Sequence, residues 1–127
     1  MSRLLLVDDN DSLRVSLCAV LEDEGYAVET AASFDAARSR LDSGAPRFAA
    51  ALLDVHLGDA LGTDLIPLFR DASPDTKLVV LTGSDAVFQP SEGADACFEK
   101  GGDIDDLLAA LRVLLPRPAH LPEGARS

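Results

Sequence analysis

A chain of 127 residues has room for one globular domain and not for two. Its formal net charge of −11 makes contact with nucleic acid or with an anionic membrane surface unfavourable, so we expect neither as a partner. The two cysteines, Cys18 and Cys97, follow no metal or redox spacing, and we interpret both as small core residues in a reducing compartment. No N-terminal stretch resembles a signal peptide and no apolar run is long enough to cross a bilayer, which predicts a cytoplasmic location.

Short apolar runs alternate with segments of helical periodicity along the chain. The runs predict five buried strands, at residues 4–7, 27–28, 49–53, 78–81 and 96–98. A first helix is expected between the first two strands, with Asp11 or Ser12 as its N-cap and Gly25 just past its end. A second helix, capped by Ser33 and stopped by Gly44, follows the second strand.

Two further helices are predicted in the second half of the chain. One carries Pro67, which is tolerable near a first turn if Thr63 is the N-cap. The last begins at Asp103 and is ended by Pro116. The intervening segment 83–93 has few apolar residues, so any helix there is expected to be short or missing.

The predicted elements define a fold class. Alternating helices and continuously apolar strands indicate a parallel sheet covered by helices on both faces. We expect five parallel strands in the order 2-1-3-4-5, joined by right-handed crossovers. Residues 1–115 should form this domain, and the Pro-rich residues 116–127 a disordered tail.

Polar residues stand where four of the predicted strands end. Asp8 and Asp9 follow the first strand, Asp54 ends the third, Thr82 ends the fourth and Lys100 follows the fifth. Each has an ordinary structural interpretation when taken alone, as a cap or a solvated side chain. At the shared carboxyl edge of a parallel sheet, however, three carboxylates repel one another, and a hard cation such as Mg²⁺ offsets that repulsion. A carboxylate can also act as a nucleophile and form an acyl phosphate, to which hydroxyl and ammonium groups donate hydrogen bonds.

The same residues, in the same order, resemble the receiver domain of two-component response regulators. The resemblance covers residues 3–115 and is carried by Asp8-Asp9, Asp54 with Leu57 and Gly62, Thr82-Gly83, and Gly93-Ala94-Asp95 leading to Lys100. It implies a flavodoxin-like doubly wound fold. Because the chain has room for this domain alone, we expect a stand-alone, single-domain receiver, and a receiver cut from a larger protein stays open as the alternative. The resemblance also implies a phosphoryl donor that is a sensor histidine kinase or a histidine phosphotransfer protein, and an output through an unidentified protein target.

The resemblance assigns roles to the acids and to the loop after the third strand. It implies that Asp54 accepts the phosphoryl group and that Asp9 and Asp54 bind Mg²⁺ directly. Asp8 would assist through water, and the backbone carbonyl of His56 would be a further ligand. The protein would catalyse its own phosphorylation and dephosphorylation, and would not be an enzyme that turns over a substrate.

The resemblance also assigns roles to the residues that would surround the phosphoryl group. Lys100 would contact the acceptor carboxylate and then the phosphoryl group, and Thr82 would bind a phosphoryl oxygen and move on activation. Ser84 and the imidazole of His56 occupy positions that tune how fast the phosphoryl group is lost. A solvated loop histidine is at least as good an interpretation of the His56 side chain as a direct catalytic role.

Several positions depart from the family. Cys97 stands where the family has an aromatic switch residue, and the adjacent Phe98 should point to the other side of its strand. Gly58 and Gly101 replace two prolines of the family pattern. The span 82–100 is shorter than usual, so we hypothesise that the protein does not dimerise in the usual way through the face of its fourth and fifth helices.

Two other functions stay open from the sequence. Asp9-Asn10-Asp11 and Leu81-Thr82 resemble motifs of haloacid-dehalogenase-type phosphohydrolases, with Asp9 as the nucleophile. Leu13 departs from that pattern, however, and Asp54 would then have no role. A receiver-shaped interaction module that is not phosphorylated is the other alternative, favoured by the altered switch and opposed by the intact acids.

Overall fold

Five parallel strands form the central sheet of the computed structural model, which describes residues 2–42, 48–58, 60–82, 93–99 and 102–115. In chain order the strands are β1 (Arg3–Val7), β2 (Ala27–Ala31), β3 (Ala50–Asp54), β4 (His56–Leu57), β5 (Ala60–Leu61), β6 (Lys77–Thr82) and β7 (Ala96–Glu99). The sheet order is β2-β1-β3-β6-β7, and β4 and β5 form a separate antiparallel hairpin. The order confirms the predicted 2-1-3-4-5 arrangement, and the short hairpin was not predicted.

Helices cover both faces of the sheet. They are α1 (Asp11–Asp23), α2 (Phe34–Asp42), α3 (Leu65–Ala72) and α4 (Ile104–Leu114). Buried residues of α2 and α3 pack in one hydrophobic cluster, and buried residues of α1 and α4 pack in a second cluster on the opposite face. The doubly wound α/β class is therefore confirmed.

The apolar run of β1 shows how one strand serves both layers. Leu4 to Val7 are all fully buried. Leu5 and Val7 belong to the cluster under α2 and α3, whereas Leu4 and Leu6 belong to the cluster under α1 and α4. A strand buried on both faces has no need for polar alternation, which is why the run is continuous.

The N-cap of α1 differs from the prediction. Asn10, and not Asp11 or Ser12, caps the helix, because its side-chain oxygen accepts a hydrogen bond from the backbone N–H of Leu13 at 3.0 Å. Asp11 instead forms an ion pair with Arg14 within the first turn. The helix starts one or two residues earlier than expected, because Asn10 supplies the acceptor.

The other helix ends agree with the sequence in part. Ser33 caps α2 through a 3.1 Å bond from the N–H of Ala36, and Asp103 caps α4 through a 2.9 Å bond from the N–H of Asp105. Thr63 does not cap α3, because it lies inside a 3₁₀ turn at Gly62–Asp64 that runs directly into the helix. Pro67 still occupies the first turn of α3, where its missing N–H costs no helical hydrogen bond.

Some predictions fall on segments outside the described residues. They are the stop of α2 at Gly44, the short or missing helix in the segment between β6 and β7, and the tail at 116–127. The domain boundary at residue 115 and the hypothesis about dimerisation therefore stay predictions. Within the described ranges, no helix is long and apolar enough to cross a membrane.

Candidate functional site

Three carboxylates meet at the carboxyl edge of the sheet. The parallel register places Val7 of β1 beside Leu53 of β3, so the residues that follow, Asp8 and Asp54, end next to each other. One carboxylate oxygen from each of Asp8, Asp9 and Asp54 lies within 4.8 Å of the others. The three acids therefore converge at this edge, as the strand ends predicted for them.

The three acids differ in their exposure to solvent. Asp8 is fully buried and Asp54 is 3% exposed, whereas Asp9 is exposed. Like charges interact more strongly where the effective dielectric constant is low, so this cluster is a site of concentrated negative potential. Among the three acids, solvent therefore reaches the cluster mainly at Asp9.

The loop between β1 and α1 fixes Asp8. Its carboxylate accepts a hydrogen bond from the backbone N–H of Asn10 at 2.8 Å. The guanidinium of Arg14 donates to the Asp8 backbone carbonyl at 2.8 Å, and Arg14 is also held by Asp11. The first turn of α1 therefore braces the loop that carries the acids.

The loop after β3 contacts the other two acids. The N–H of Gly58 donates to the Asp9 carboxylate at 3.0 Å, and the N–H of His56 donates to the Asp54 carboxylate at 3.3 Å. The main chain of His56 is thus adjacent to the acid cluster, and His56 as a whole is exposed to solvent. Gly58 adopts a left-handed conformation with φ +60°, which suits a glycine at this turn.

Gly62 packs directly against the main chain of Asp54. Its backbone N–H donates to the carbonyl of Val55 at 2.7 Å. A β-carbon built on Gly62 would lie 1.7 Å from the Asp54 carbonyl oxygen, a distance that no side chain can occupy. The sequence singled out Gly62 as part of a motif, but the reason for a glycine is this tertiary contact.

Thr82 and Cys97 lie beside each other at the same edge. Thr82, which is 7% exposed, ends β6 one residue beyond Leu81, the register partner of Asp54. Cys97 pairs with Val80 in the register, so its side chain and that of Thr82 face the same side of the sheet. Burial raises the pKa of the Cys97 thiol, and the neighbouring Thr82 side chain offsets part of that rise, so the thiol is protonated at neutral pH.

Phe98 points away from Cys97, as expected. The register pairs Cys97 with Val80 and Phe98 with Leu81, and these partners belong to opposite clusters. Phe98 packs with the cluster under α1 and α4. The aromatic ring is therefore on the opposite face of the sheet from the position of the family's switch residue.

Two predicted site residues lie outside the described residues. They are Lys100, which follows β7, and Ser84, which follows β6. Their predicted contacts with a phosphoryl group stay predictions.

The donor set of the acid cluster suits a hard divalent cation. All three side chains offer carboxylate oxygens, which are the ligands that Mg²⁺ and Ca²⁺ prefer. Three side-chain ligands also leave room for water or for phosphoryl oxygens, as is usual for Mg²⁺. The residues present therefore fit such an ion.

The sequence matches the family model of the response regulator receiver domain over residues 4–112. The chain therefore belongs to the receiver-domain family of response regulators. It is 37% identical over 124 residues to the acid tolerance regulatory protein ActR of Sinorhizobium medicae, a match that covers 94% of this chain and 61% of that protein. The chain thus spans less than two thirds of that regulator's length.

Two solved structures resemble the fold and carry relevant groups. A response regulator from Burkholderia pseudomallei, with a phosphorylated aspartic acid and a calcium ion, is 34% identical with a TM-score of 0.77, over 87% of this chain and 66% of that one. The response regulator TrrA of Thermotoga maritima, in complex with Mg²⁺ and beryllofluoride, is 28% identical with a TM-score of 0.78, over 91% of this chain and 100% of that one. Family membership also leaves the haloacid-dehalogenase hypothesis for Asp9 without support.

Proposed function

We propose that this receiver domain accepts a phosphoryl group on the carboxylate of Asp54. The observation that carries the proposal is the position of Asp54, which ends the central strand β3 within the cluster that includes Asp8 and Asp9. The phosphorylated aspartic acid and the metal ion of the structural relatives support the same chemistry for this chain.

The proposal assigns the cation site to the acid cluster. Asp9 and Asp54 would hold Mg²⁺ directly, Asp8 through a water molecule, and the carbonyl of His56 would complete the protein ligands. When bound, the ion supplies positive charge that offsets the repulsion between the acids and the incoming phosphoryl oxygens. The hydrogen bonds that Asp8 and Asp9 accept from backbone N–H groups orient them for this role.

The chemical step is a phosphoryl transfer between two nucleophiles. A carboxylate oxygen of Asp54 attacks the phosphorus of a phosphohistidine, the P–N bond breaks, and its electron pair stays on the imidazole, which takes up a proton. The product is an acyl phosphate on Asp54. The Thr82 hydroxyl, next to the site, and the Lys100 ammonium would donate hydrogen bonds to the phosphoryl oxygens.

Loss of the phosphoryl group would return the protein to its unphosphorylated state. Water attacks the phosphorus, the acyl phosphate is hydrolysed, and the Asp54 carboxylate is restored. Both steps would be catalysed by the domain itself, so it acts as a switch. The proposed donor is a sensor histidine kinase or a histidine phosphotransfer protein in the cytoplasm, and the proposed output is contact with another protein.

Intact-mass spectrometry with Mg²⁺ and acetyl phosphate tests this function. Wild type should gain the mass of one phosphoryl group, and Asp54→Asn should gain none. Asp71→Asn, which removes an exposed acid outside the cluster, is the matched control and should be modified like wild type. No adduct on wild type, together with no response to beryllofluoride, would favour a receiver-shaped interaction module. An adduct on Asp54→Asn would move the acceptor elsewhere.

A further inference from the structure

Arg14, in the first turn of α1, has the least exposed side chain among the ion-paired arginines that the structure describes. Its side chain is 18% exposed, and those of the others are between 31% and 60% exposed. Exposed ion pairs contribute little to stability, because water and salt screen them and long side chains lose entropy when they pair. The contacts of Arg14 are therefore less screened than those of an ordinary surface arginine.

Arg14 holds the peptide group that joins Asp8 to Asp9. One arm of its guanidinium donates to the Asp8 carbonyl at 2.8 Å, and the other arm donates to the Asp11 carboxylate at 2.5 Å. A peptide group is planar, so fixing its carbonyl also fixes the direction in which the chain continues to Asp9. The rigid fork of a guanidinium suits two such contacts made at once. Through them Arg14 acts on the main chain between two of the three acids.

The other side of Asp8 is held by the sheet. The Asp8 N–H donates to the carbonyl of Ala31, the last residue of β2, at 3.1 Å. Both peptide groups that flank the Asp8 α-carbon are therefore anchored, one by a strand and one by Arg14. The Asp9 carboxylate is held in turn by the N–H of Gly58 at 3.0 Å. Among these three anchors, the one made by Arg14 is the one that a change of side chain removes.

We propose that Arg14 is a positioning residue of the cation site, which raises the affinity for Mg²⁺ by holding the Asp8–Asp9 peptide in place. The inference rests on the cation site proposed above, and it assigns to Arg14 no contact with the ion itself. Groups that orient metal ligands typically contribute about 10–100-fold to metal affinity. We assign a contribution of this kind to the bond between Arg14 and the Asp8 carbonyl.

The positive charge of Arg14 acts in the opposite direction. A guanidinium near the acids repels a divalent cation, so if charge were its whole effect, the removal of Arg14 would tighten Mg²⁺ binding. If Arg14 holds the peptide, its removal weakens Mg²⁺ binding instead. Removing Arg14 together with its partner Asp11 separates the two effects, because the net charge stays the same while the anchor is lost.

Calorimetric titration of Mg²⁺ into the full-length protein measures the affinity directly. The double variant Asp11→Asn, Arg14→Met should raise the Kd for Mg²⁺ by about tenfold or more. The matched control, Arg38→Met with Asp42→Asn, removes an exposed pair of the same kind from α2 and should leave the Kd within about twofold. An unchanged or lower Kd in the first variant, or equal losses in both, would overturn the role of Arg14.

A conservative variant and added salt distinguish positioning from charge. Arg14→Lys keeps the charge and a donor for the Asp8 carbonyl, so its Kd should return to within about threefold of wild type. In about 1 M NaCl the Debye length is about 3 Å, which screens charge effects between exposed groups. The ratio between the Kd of the double variant and that of wild type should persist there. A ratio that falls to about one would assign the effect to charge and overturn the positioning role.

Thermal unfolding distinguishes positioning from a role confined to folding. If Arg14 served only the fold, its loss would lower the melting temperature equally with and without Mg²⁺. If Arg14 positions the acids, the rise produced by a fixed Mg²⁺ concentration should shrink in the double variant, because that rise depends on the Kd. An undiminished rise would refute the proposal.

Intact mass after acetyl phosphate separates this inference from the proposed function. The Mg²⁺ concentration for half-maximal adduct formation should rise in the double variant, and the adduct at saturating Mg²⁺ should match that of wild type. A normal Mg²⁺ requirement, with an adduct on Asp54, would refute the role of Arg14 alone. A tenfold loss of Mg²⁺ affinity in a chain that forms no adduct would keep that role and refute the phosphoacceptor. No Mg²⁺ binding by wild type would refute both.

Discussion

Gly62 lies so close to the main chain of Asp54 that a β-carbon on Gly62 would stand 1.7 Å from the Asp54 carbonyl oxygen. The overlap is with backbone, and not with the end of a flexible side chain, so it cannot be relieved by a rotamer change. The smallest side chain at Gly62 must therefore displace either the 3₁₀ turn or the end of β3. The position of Asp54, the proposed phosphoacceptor, therefore depends on Gly62, which has no reactive side chain.

Gly62→Ala should destabilise the fold and impair phosphorylation together. We expect a loss of about 3 kcal/mol in the free energy of unfolding, as for severe overpacking of a core. Urea unfolding and intact mass after acetyl phosphate measure the two effects. Gly25→Ala is the control, because Gly25 has φ +99° with nothing near its β-carbon, so only the conformational cost of about 1 kcal/mol should appear. Normal phosphorylation of Gly62→Ala would contradict the contact.

Mg²⁺ should stabilise the protein through the acid cluster, and Asp9→Asn should remove most of that effect. At a free concentration ten times its Kd, a ligand that binds only the folded state adds about 1.4 kcal/mol. Without Mg²⁺ the variant should be at least as stable as wild type, because one of three mutually repelling charges is gone and the amide oxygen can still accept from Gly58. Thermal unfolding with and without Mg²⁺ measures both. Asp71→Asn should respond to Mg²⁺ as wild type does, and an equal response of Asp9→Asn would place the ion elsewhere.

Both thiols should titrate at a higher pH than free cysteine does. Burial is the main reason that the pKa of both Cys97 and Cys18 is raised, and the charge of Glu22 adds to the rise for Cys18. The unfolded chain loses these thiol protons near pH 8.5, whereas the folded protein keeps them to higher pH. The thiols therefore cost no stability below about pH 8.5, and the free energy of unfolding falls as the pH rises beyond it. Thiolate absorbance against pH measures the titration. Glu22→Gln should lower the pKa of Cys18 and leave that of Cys97 unchanged, and equal shifts in both would contradict this cause.

Arg70 joins the end of α3 to the start of β7, and its removal should cost stability. Its guanidinium donates to the carbonyl of Gly93 at 2.7 Å and to the carboxylate of Asp95 at 3.0 Å. The same carboxylate accepts from the N–H of Leu78 at 2.8 Å, which ties β6 to β7. Arg70→Met should therefore lower the free energy of unfolding by about 2 kcal/mol.

Arg38→Met provides the comparison for that variant. Arg38 is exposed, and its ion pair among the described residues is an i,i+4 pair with Asp42 at 3.7 Å, so its loss should cost no more than about 0.5 kcal/mol. Chemical unfolding of both variants under the same conditions gives the difference. Equal costs for the two variants would show that the Arg70 contacts contribute nothing beyond an ordinary surface arginine.

The sheet and the acid cluster were predictable because both follow from repeated, local patterns. The run from Leu4 to Val7 is apolar throughout because it is buried on both faces, and such runs identify central parallel strands. Once the strand order is known, the carboxyl edge follows, and Asp8 and Asp54 must meet there. The chemistry of the edge could thus be deduced from the residues that end each strand.

The features that were missed depend on contacts between distant residues or on very short elements. The β4–β5 hairpin contributes two residues per strand, which is too few for a periodic pattern. Asn10 competes with two other capping residues directly after it, and only the geometry of the β1–α1 loop decides among them. Cys97 and Thr82 share one side of the sheet only because β6 and β7 pair, and that pairing joins segments that are distant in the chain.

The side chains of β6 and β7 point alternately to the two faces of the sheet. Thr82 and Cys97 face one side, while Leu81 and Phe98 face the other. Substitutions at the second pair reshape the cluster under α1 and α4, while Thr82 and Cys97 keep their neighbours on the other face. The residues that pack under α1 and α4 can therefore change without altering the side of the sheet on which Thr82 and Cys97 lie.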